Sequence, residues 1–268
     1  MRDFVSWLSR IGWVRRLVQT LRLHKLANFA LKIFPLRKRL PSGVVYRSAR
    51  IESIPLAVEM FEKGLTYDRA ALKPDIETFI DLGCNVGYFT ILLADLVKGK
   101  PLAGLMVDAN PDVIGEAQWH VRANPQLKDV FPYLGLVGAD PSKSEGDFYV
   151  YTSNICSSRD PEASRNHNLP GKWNRMKIPC INVQKLWESH FGKRRCNLLK
   201  IDVEGAEFDF FRHERSFLGQ VDTILLEWHK GSVALDQIKE FLTPLGFHLS
   251  RIFEEDANLG TCLFERAP

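Results

Sequence analysis

Residues Thr78–Gly99 read TFIDLGCNVGYFTILLADLVKG, and the fold turns on this stretch. Thr78–Leu82 is a short apolar run of strand character. Gly83 and Gly87 punctuate a turn, and Tyr88–Val97 is apolar over a helix length and stopped by Gly99. A strand, a glycine turn and a helix in direct succession are how a doubly wound α/β sheet opens its ligand turn.

The same alternation continues outward. LAGLMVD (102–108) is a second strand, and Asn110-Pro111 starts a helix that runs to about Ala123, with Asn as cap and Pro in the first turn. FPYLGLVGA (131–139) is a third strand, DFYVY (147–151) an added one, and KIPCINV (177–183) resumes strand character after a long polar loop. CNLLKID (196–202), a helix from about Gly205, VDTILLEW (221–228) and a helix from about Val233 to Leu242 follow. The closing runs FHLSRIF (247–253) and TCLFER (261–266) read as an antiparallel hairpin at the sheet edge. The expected fold is α/β, doubly wound, with a mostly parallel Rossmann-like sheet covered on both faces.

Composition sets the frame for the rest. The chain has 268 residues, 45% of them apolar, enough for one large core. Its net charge of +4 hides an asymmetry: residues 1–40 hold ten Lys/Arg and one acid, so the remainder is net acidic. In the basic segment Phe4, Trp7, Leu8, Ile11, Val14, Val18 and Leu21 recur at helical spacing over residues 1–34, and Pro35 and Pro41 bracket a basic linker, LRKRLP. Residues 50–72 read as a further helical stretch. The expected division is a helical arm and linker at 1–45 and a globular domain at 46–268. The arm's apolar stripe has two readings: it lies on an anionic membrane surface, or it docks on the chain's own core or on a second subunit as a homo-oligomer.

Five cysteines without any C-x-x-C signal neither a zinc site nor a disulfide framework. No stretch reaches the roughly 18 uncharged residues of a membrane span, and arginines interrupt any apolar signal core. The expected location is the cytoplasm, with the arm as a peripheral contact at the inner face of the membrane. No nucleic-acid partner is expected.

The turn DLGCNVG (81–87) has G-x-x-x-G spacing, not the dinucleotide G-x-G-x-x-G, which argues against a nicotinamide oxidoreductase. Its glycines allow a close backbone approach to a ligand, and Asp108, at the end of the second strand, suits the two hydroxyls of a ribose. The candidate cofactor residues are Asp81, Gly83, Asn85, Gly87, Asp108 and Asn110, together with Asp140. Asp140 either reaches a base amino group or caps the turn before Pro141.

LLKIDVEGAEFDFF (198–211) crowds four ionisable groups onto the end of a core strand. Strand periodicity puts Lys200 and Asp202 on one face, where each balances the other's burial cost. Glu204 stands where the next helix needs a cap, and Glu207 in its first turn suits the helix dipole. Glu227 and His229 share a face at the end of the following strand. Asp202 and His229 could hold a divalent cation, but no third ligand is identified, so no metal site is assigned.

At these places the chain resembles the FkbM-type methyltransferases. FIDLGCNVGYFT (79–90), VDANP (107–111) and above all LLKIDVEGAE (198–207) carry the likeness, with LLEWH (225–229) beside them, over roughly residues 60–265. The resemblance implies S-adenosyl-L-methionine as cofactor and methyl transfer to oxygen on a sugar-like or other small-molecule acceptor. Asp108 stands where the family often has Glu, and Gln184 where it tends to have Asp. On this reading Asp202 or His229 is the base, Glu204 or Glu227 orients the acceptor's hydroxyls, and Lys200 balances Asp202. Methyl transfer to nitrogen and a non-catalytic module of the same fold are the alternatives. The loop YTSNICSSRD (151–160) either closes over the substrate or is plain surface.

Overall fold

The structure, a computed structural model, describes residues 23–64, 69–140, 142–151, 157–158 and 173–267. A helix α1 (Leu23–Ile33) leads into a hairpin of β1 (Leu36–Arg39) and β2 (Val45–Ser48), then a short helix α2 (Ser53–Ala57). The alternating part follows: β3 (Thr78–Leu82), α3 (Tyr88–Leu96), β4 (Ala103–Asp108), α4 (Pro111–Ala123) and β5 (Asp129–Leu134). After β6 (Glu145–Tyr151), β7 (Ser157–Ser158) and β8 (Trp173–Pro179) come α5 (Val183–Phe191), β9 (Cys196–Ile201), α6 (Glu207–His213) and β10 (Val221–His229). Helix α7 (Leu235–Leu242) and the strands β11 (Phe247–Glu255) and β12 (Leu259–Arg266) complete the chain.

Seven strands form one sheet in the order β11-β12-β10-β9-β3-β4-β5. The run from β10 to β5 is parallel throughout, and β12 pairs antiparallel with both β10 and β11. Chain direction across the sheet reverses between β3 and β9, which makes the gap beyond their carboxyl ends the natural ligand crevice.

Alternation along the strands feeds two apolar layers. Phe79, Leu198 and Leu225 turn to the face covered by α3 and α4, and Ile80, Leu199 and Ile224 to the face covered by α5, α6 and α7. All six are fully buried or nearly so, and this double burial holds the sheet rigid.

Four sequence expectations are corrected. KIPCINV is strand only to Pro179: β8 pairs antiparallel with β6 in a separate three-stranded sheet, and that ladder ends there. Asn182 then caps α5, its side chain accepting from the Lys185 N–H at 2.7 Å, so Val183 begins a helix. The third strand ends at Leu134, because beyond it Gly135 packs under Ile181 and Leu136 bridges only to Cys180. The basic linker is strand β1, whose four residues pair with β2, so a boundary at residue 45 runs through a hairpin. The stretch 50–72 is not one helix but α2, a π-helical turn over Val58–Lys63 closed by left-handed Gly64, and a 3-10 turn at Arg69–Ala71.

Of the expected arm, residues 1–22 lie outside the described residues, as does the loop at 151–160 apart from Tyr151 and β7. Among the described residues no helix is long and apolar enough to cross a membrane.

Candidate functional site

Lys200 is the hub of the crevice. Residue-to-residue register sets it beside Asp81 in β3 and Leu225 in β10. Its ammonium lies 3.3 Å from the buried Asp81 carboxylate and 3.4 Å from that of Asp202. It also donates to the carbonyl oxygens of Leu82 at 3.1 Å and Gly83 at 2.8 Å. The four acceptors resolve the apparent paradox of a lysine in a core strand: every face of the charge is used. Asp81 in turn accepts from the Thr90 hydroxyl of α3 at 3.1 Å, and burial raises its pKa despite Lys200.

The glycine turn has a packing requirement beside the one expected. A Cβ on Gly83, whose φ is +69°, would lie 1.6 Å from the Asp202 carbonyl oxygen, so Gly83 is required where β3 and β9 converge. A Cβ on Gly87 would meet Met106 and Ala117, so that glycine lets α3 pack on α4 rather than admitting a ligand. Asn85 completes the turn in the left-handed region at φ +49°.

Asp108 organises the other wall. One carboxylate oxygen accepts from the Asn85 N–H and the other from the Asn110 N–H, both at 2.7 Å. Burial raises its pKa to about 6, with these two N–H groups pulling the other way. Each carboxylate oxygen keeps a second acceptor position. Asn110 meanwhile caps α4, its side chain accepting from the Asp112 N–H at 3.0 Å.

Between these walls lies a cleft of about 110 Å³, partly open to solvent. Gly83, Asn85, Asp108 and Asn110 supply its polar side, Leu136, Val137 and Phe148 its apolar side, and Asp202 and Glu204 its far end. A carboxylate beside an apolar slot matches a nucleoside, whose sugar presents hydroxyls and whose base packs its flat faces against apolar side chains. Asp81 and Gly87 stand behind the cleft as support. Asp140 is not brought to it: exposed, it accepts from the backbone and hydroxyl of Ser142 and caps that turn.

The carboxylates gather at the far end. Glu204 is not the helix cap; α6 begins three residues later, and Glu204 occupies a left-handed conformation at φ +52°. Its carboxylate reaches to 3.4 Å from His229 Nε2, and that of Glu227 to 3.9 Å. Glu207 is fully buried and accepts both the Gly205 N–H and His229 Nδ1 at 2.9 Å. Burial raises the Glu204 pKa, Asp202 adding to it, and the Asp202 charge chiefly raises that of Glu227. For His229 burial acts downward, but Glu207, Glu204 and Asp202 outweigh it and lift the imidazole to about 10.

Glu207 is the residue that sequence reading undervalued. Its place in the first turn suggested only a dipole partner, whereas it fixes the ring of His229 from across the strand gap. The pairing of two acids three residues apart with a histidine after the next strand was its sole signal.

Residues 81–249 match the Methyltransferase FkbM domain family. The chain belongs to that family. As an FkbM methyltransferase it uses S-adenosyl-L-methionine, and the cleft chemistry fits that group. No curated protein matches. Among solved structures, the FkbM methyltransferase of Methylobacillus flagellatus KT is similar at 14% identity and TM-score 0.48, over 78% of this chain and 47% of that one. Fibrillarin from Aeropyrum pernix, solved with S-adenosyl-L-methionine, shares 15% identity over 86% of this chain and 82% of its own, with TM-score 0.46. TrmK of M. capricolum, solved with S-adenosyl-homocysteine, shares 10% identity over 74% of this chain and 66% of its own, with TM-score 0.42. The chain thus spans about half the length of the M. flagellatus protein.

Proposed function

We propose that this FkbM methyltransferase methylates a hydroxyl oxygen on a sugar-like, small-molecule acceptor. The supporting observation is the crowd of hydrogen-bonding carboxylates, Asp202, Glu204 and Glu227, at the end of the cleft that Asp108 also lines. A polyhydroxylated acceptor offers several O–H donors, and ionised carboxylates are acceptor-only.

S-adenosyl-L-methionine, when bound, supplies an electrophilic methyl group. Asp108 would accept the ribose hydroxyls, and the backbone around Gly83 and Asn85 would hold the methionine end. An alcohol is a poor nucleophile until its proton is withdrawn, and Asp202 lines the cleft directly after the end of its strand. It takes the acceptor's proton while Lys200, also tied to Gly83, holds it in register with the cofactor turn. Glu204 and Glu227 orient neighbouring hydroxyls, and His229, fixed by Glu207, supports both.

The test is product analysis: purified protein, S-adenosyl-L-methionine and a panel of sugars, glycosylated compounds and primary amines, read by mass spectrometry. A methyl ether on a sugar supports the reading. Methylation of amines alone would reverse it in favour of nitrogen transfer.

We further propose that the N-terminal segment makes a peripheral contact with an anionic membrane at the cytoplasmic face. Leu26, Phe29, Ile33 and Phe34 of α1 and its end are exposed, Phe34 to 77%, beside the exposed Lys32, Arg37, Lys38 and Arg39. Exposed apolar rings among cations complement lipid tails and acidic headgroups together.

A further inference from the structure

Among the described residues, five carboxylates, those of Asp81, Asp202, Glu204, Glu207 and Glu227, gather in two clusters at the far end of the cleft, with Lys200 and His229 among them. Lys200 is spent on Asp81, Asp202 and two carbonyl oxygens. The other cluster centres on His229.

Three features of that cluster go beyond a gathering of acids. One ligating atom each from Asp202, Glu227 and His229 lies within 4.8 Å of the other two. The His229 ring is held from behind: Nδ1 donates to Glu207 Oε1 at 2.9 Å, which directs Nε2 at the carboxylates of Glu204 and Glu227. Last, Glu207 is fully buried, and its second oxygen, Oε2, has no hydrogen-bond partner. A buried carboxylate behind a histidine whose far nitrogen faces other carboxylates is the second-shell arrangement that fixes the tautomer of metal-bound histidines and raises their basicity.

We propose that Asp202, Glu227 and His229 bind one divalent cation of the Mn²⁺ class beside the cofactor cleft, with Glu207 as the residue that positions His229. The ligand set decides the class: carboxylates suit Mg²⁺ and Mn²⁺, imidazole suits the transition ions, and Mn²⁺ accepts both. Ligands around an octahedral ion at about 2.1 Å stand about 3 Å apart, so side-chain rotation alone draws the three atoms together. Glu204, 3.4 Å from Nε2 and at the cleft lining, is placed to accept from a water on the ion.

Three protein ligands leave three positions of an octahedron open. Resting on the methyl-transfer reading, the acceptor class narrows to molecules that place two adjacent oxygens on the ion, such as a vicinal diol. Coordination lowers the pKa of the hydroxyl to be methylated, as it does for bound water. Its proton then leaves to Asp202 or solvent, the oxygen bonds to the methyl carbon, and the carbon–sulfur bond breaks. Ion binding displaces the proton from His229 Nε2 to solvent, and does not itself depend on that chemistry.

The test uses the full chain freed of metal by a chelator and titrated with Mn²⁺, with free Mn²⁺ read by electron paramagnetic resonance. One ion per chain is expected. Glu227→Gln should weaken binding at least about tenfold, and Glu207→Gln by about 10–100-fold as a second-shell loss. Asp202→Asn serves in place of any variant whose circular dichroism departs from wild type. No stoichiometric binding, or equal binding by wild type and all folded variants, overturns the proposal. Titration of the same samples with S-adenosyl-homocysteine keeps the two readings apart. Nucleoside binding without Mn²⁺ removes the cation site alone, and Mn²⁺ binding without the nucleoside removes the methyl-transfer reading alone.

Discussion

The Lys200 ammonium donates to the Gly83 carbonyl oxygen at 2.8 Å while a Cβ on Gly83 would strike the Asp202 carbonyl oxygen at 1.6 Å. One contact ties β9 to the cofactor turn, and the other leaves no slack between them. Asp202 and the glycine turn are therefore a single rigid unit, which suits the proposed in-line transfer between two bound molecules.

Lys200→Met should destabilise the fold by about 3–5 kcal/mol, the usual cost of stripping one partner from a buried ion pair. Asp81, fully buried, is the group left uncompensated. Urea unfolding measures it, and Asp81→Asn added to Lys200→Met should recover part of the loss. A double variant weaker than the single one would show that Asp81 is held by Thr90 alone.

Asp202→Asn should lower turnover by at least about 10²-fold, the lower end of what a general base contributes. Affinity for S-adenosyl-L-methionine should stay near wild type, because the amide keeps the shape of the cleft end. Near-normal turnover would remove Asp202 from the chemistry, and His229→Ala would become the variant to measure.

Asp108→Ala should weaken cofactor binding by losing the ribose acceptor and by freeing the N–H groups of Asn85 and Asn110. Binding by wild type should also depend on pH. The carboxyl titrates near 6, and protonation removes an acceptor position, so affinity should be flat above about 7 and fall as pH drops through 6. Calorimetric titration at pH 5 and pH 8 checks the sign; equal affinities at both would dissociate Asp108 from the ribose.

His120 of α4 should make stability itself pH-dependent. Its Nδ1 donates to the Val86 carbonyl at 2.8 Å and its Nε2 accepts from the Arg47 N–H at 3.0 Å, clamping β2 to the glycine turn in the neutral form. Burial lowers its pKa from 6.5 to about 4. A depressed pKa means that the unfolded chain binds the proton first. The contribution is therefore complete above 6.5 and is lost as pH falls from there to about 4, by at most about 3 kcal/mol. In His120→Gln that portion of the pH slope should vanish from urea-unfolding data.

Sedimentation with liposomes should separate the two readings of the N-terminal segment. Wild type should co-sediment with vesicles containing acidic lipid and not with neutral ones, more weakly as salt rises. Phe29→Glu with Phe34→Glu should abolish it. Binding that survives both changes would place the contact elsewhere, and a wild type that never sediments would leave docking on protein as the reading.

The sequence by itself determined the parts of this protein that depend on local periodicity. Thr78–Gly99 announced strand, turn and helix because apolar period and glycine punctuation act over a few residues, and the same holds for Asn110-Pro111 and the edge hairpin. It placed Lys200 with Asp202, and Glu227 with His229, because residues two apart on a strand share a face. The tertiary structure alone decided whatever joins distant segments. It placed Trp173–Pro179 outside the main sheet, since partner choice between strands is not written in either strand. It gave Gly83 a second reason to be glycine, a strand crossing, because the β3–β9 register brings Asp202 to it. And it brought Asp202, which follows β9, and the buried Glu207 of α6 to His229 of β10, a meeting that depends on how those elements pack.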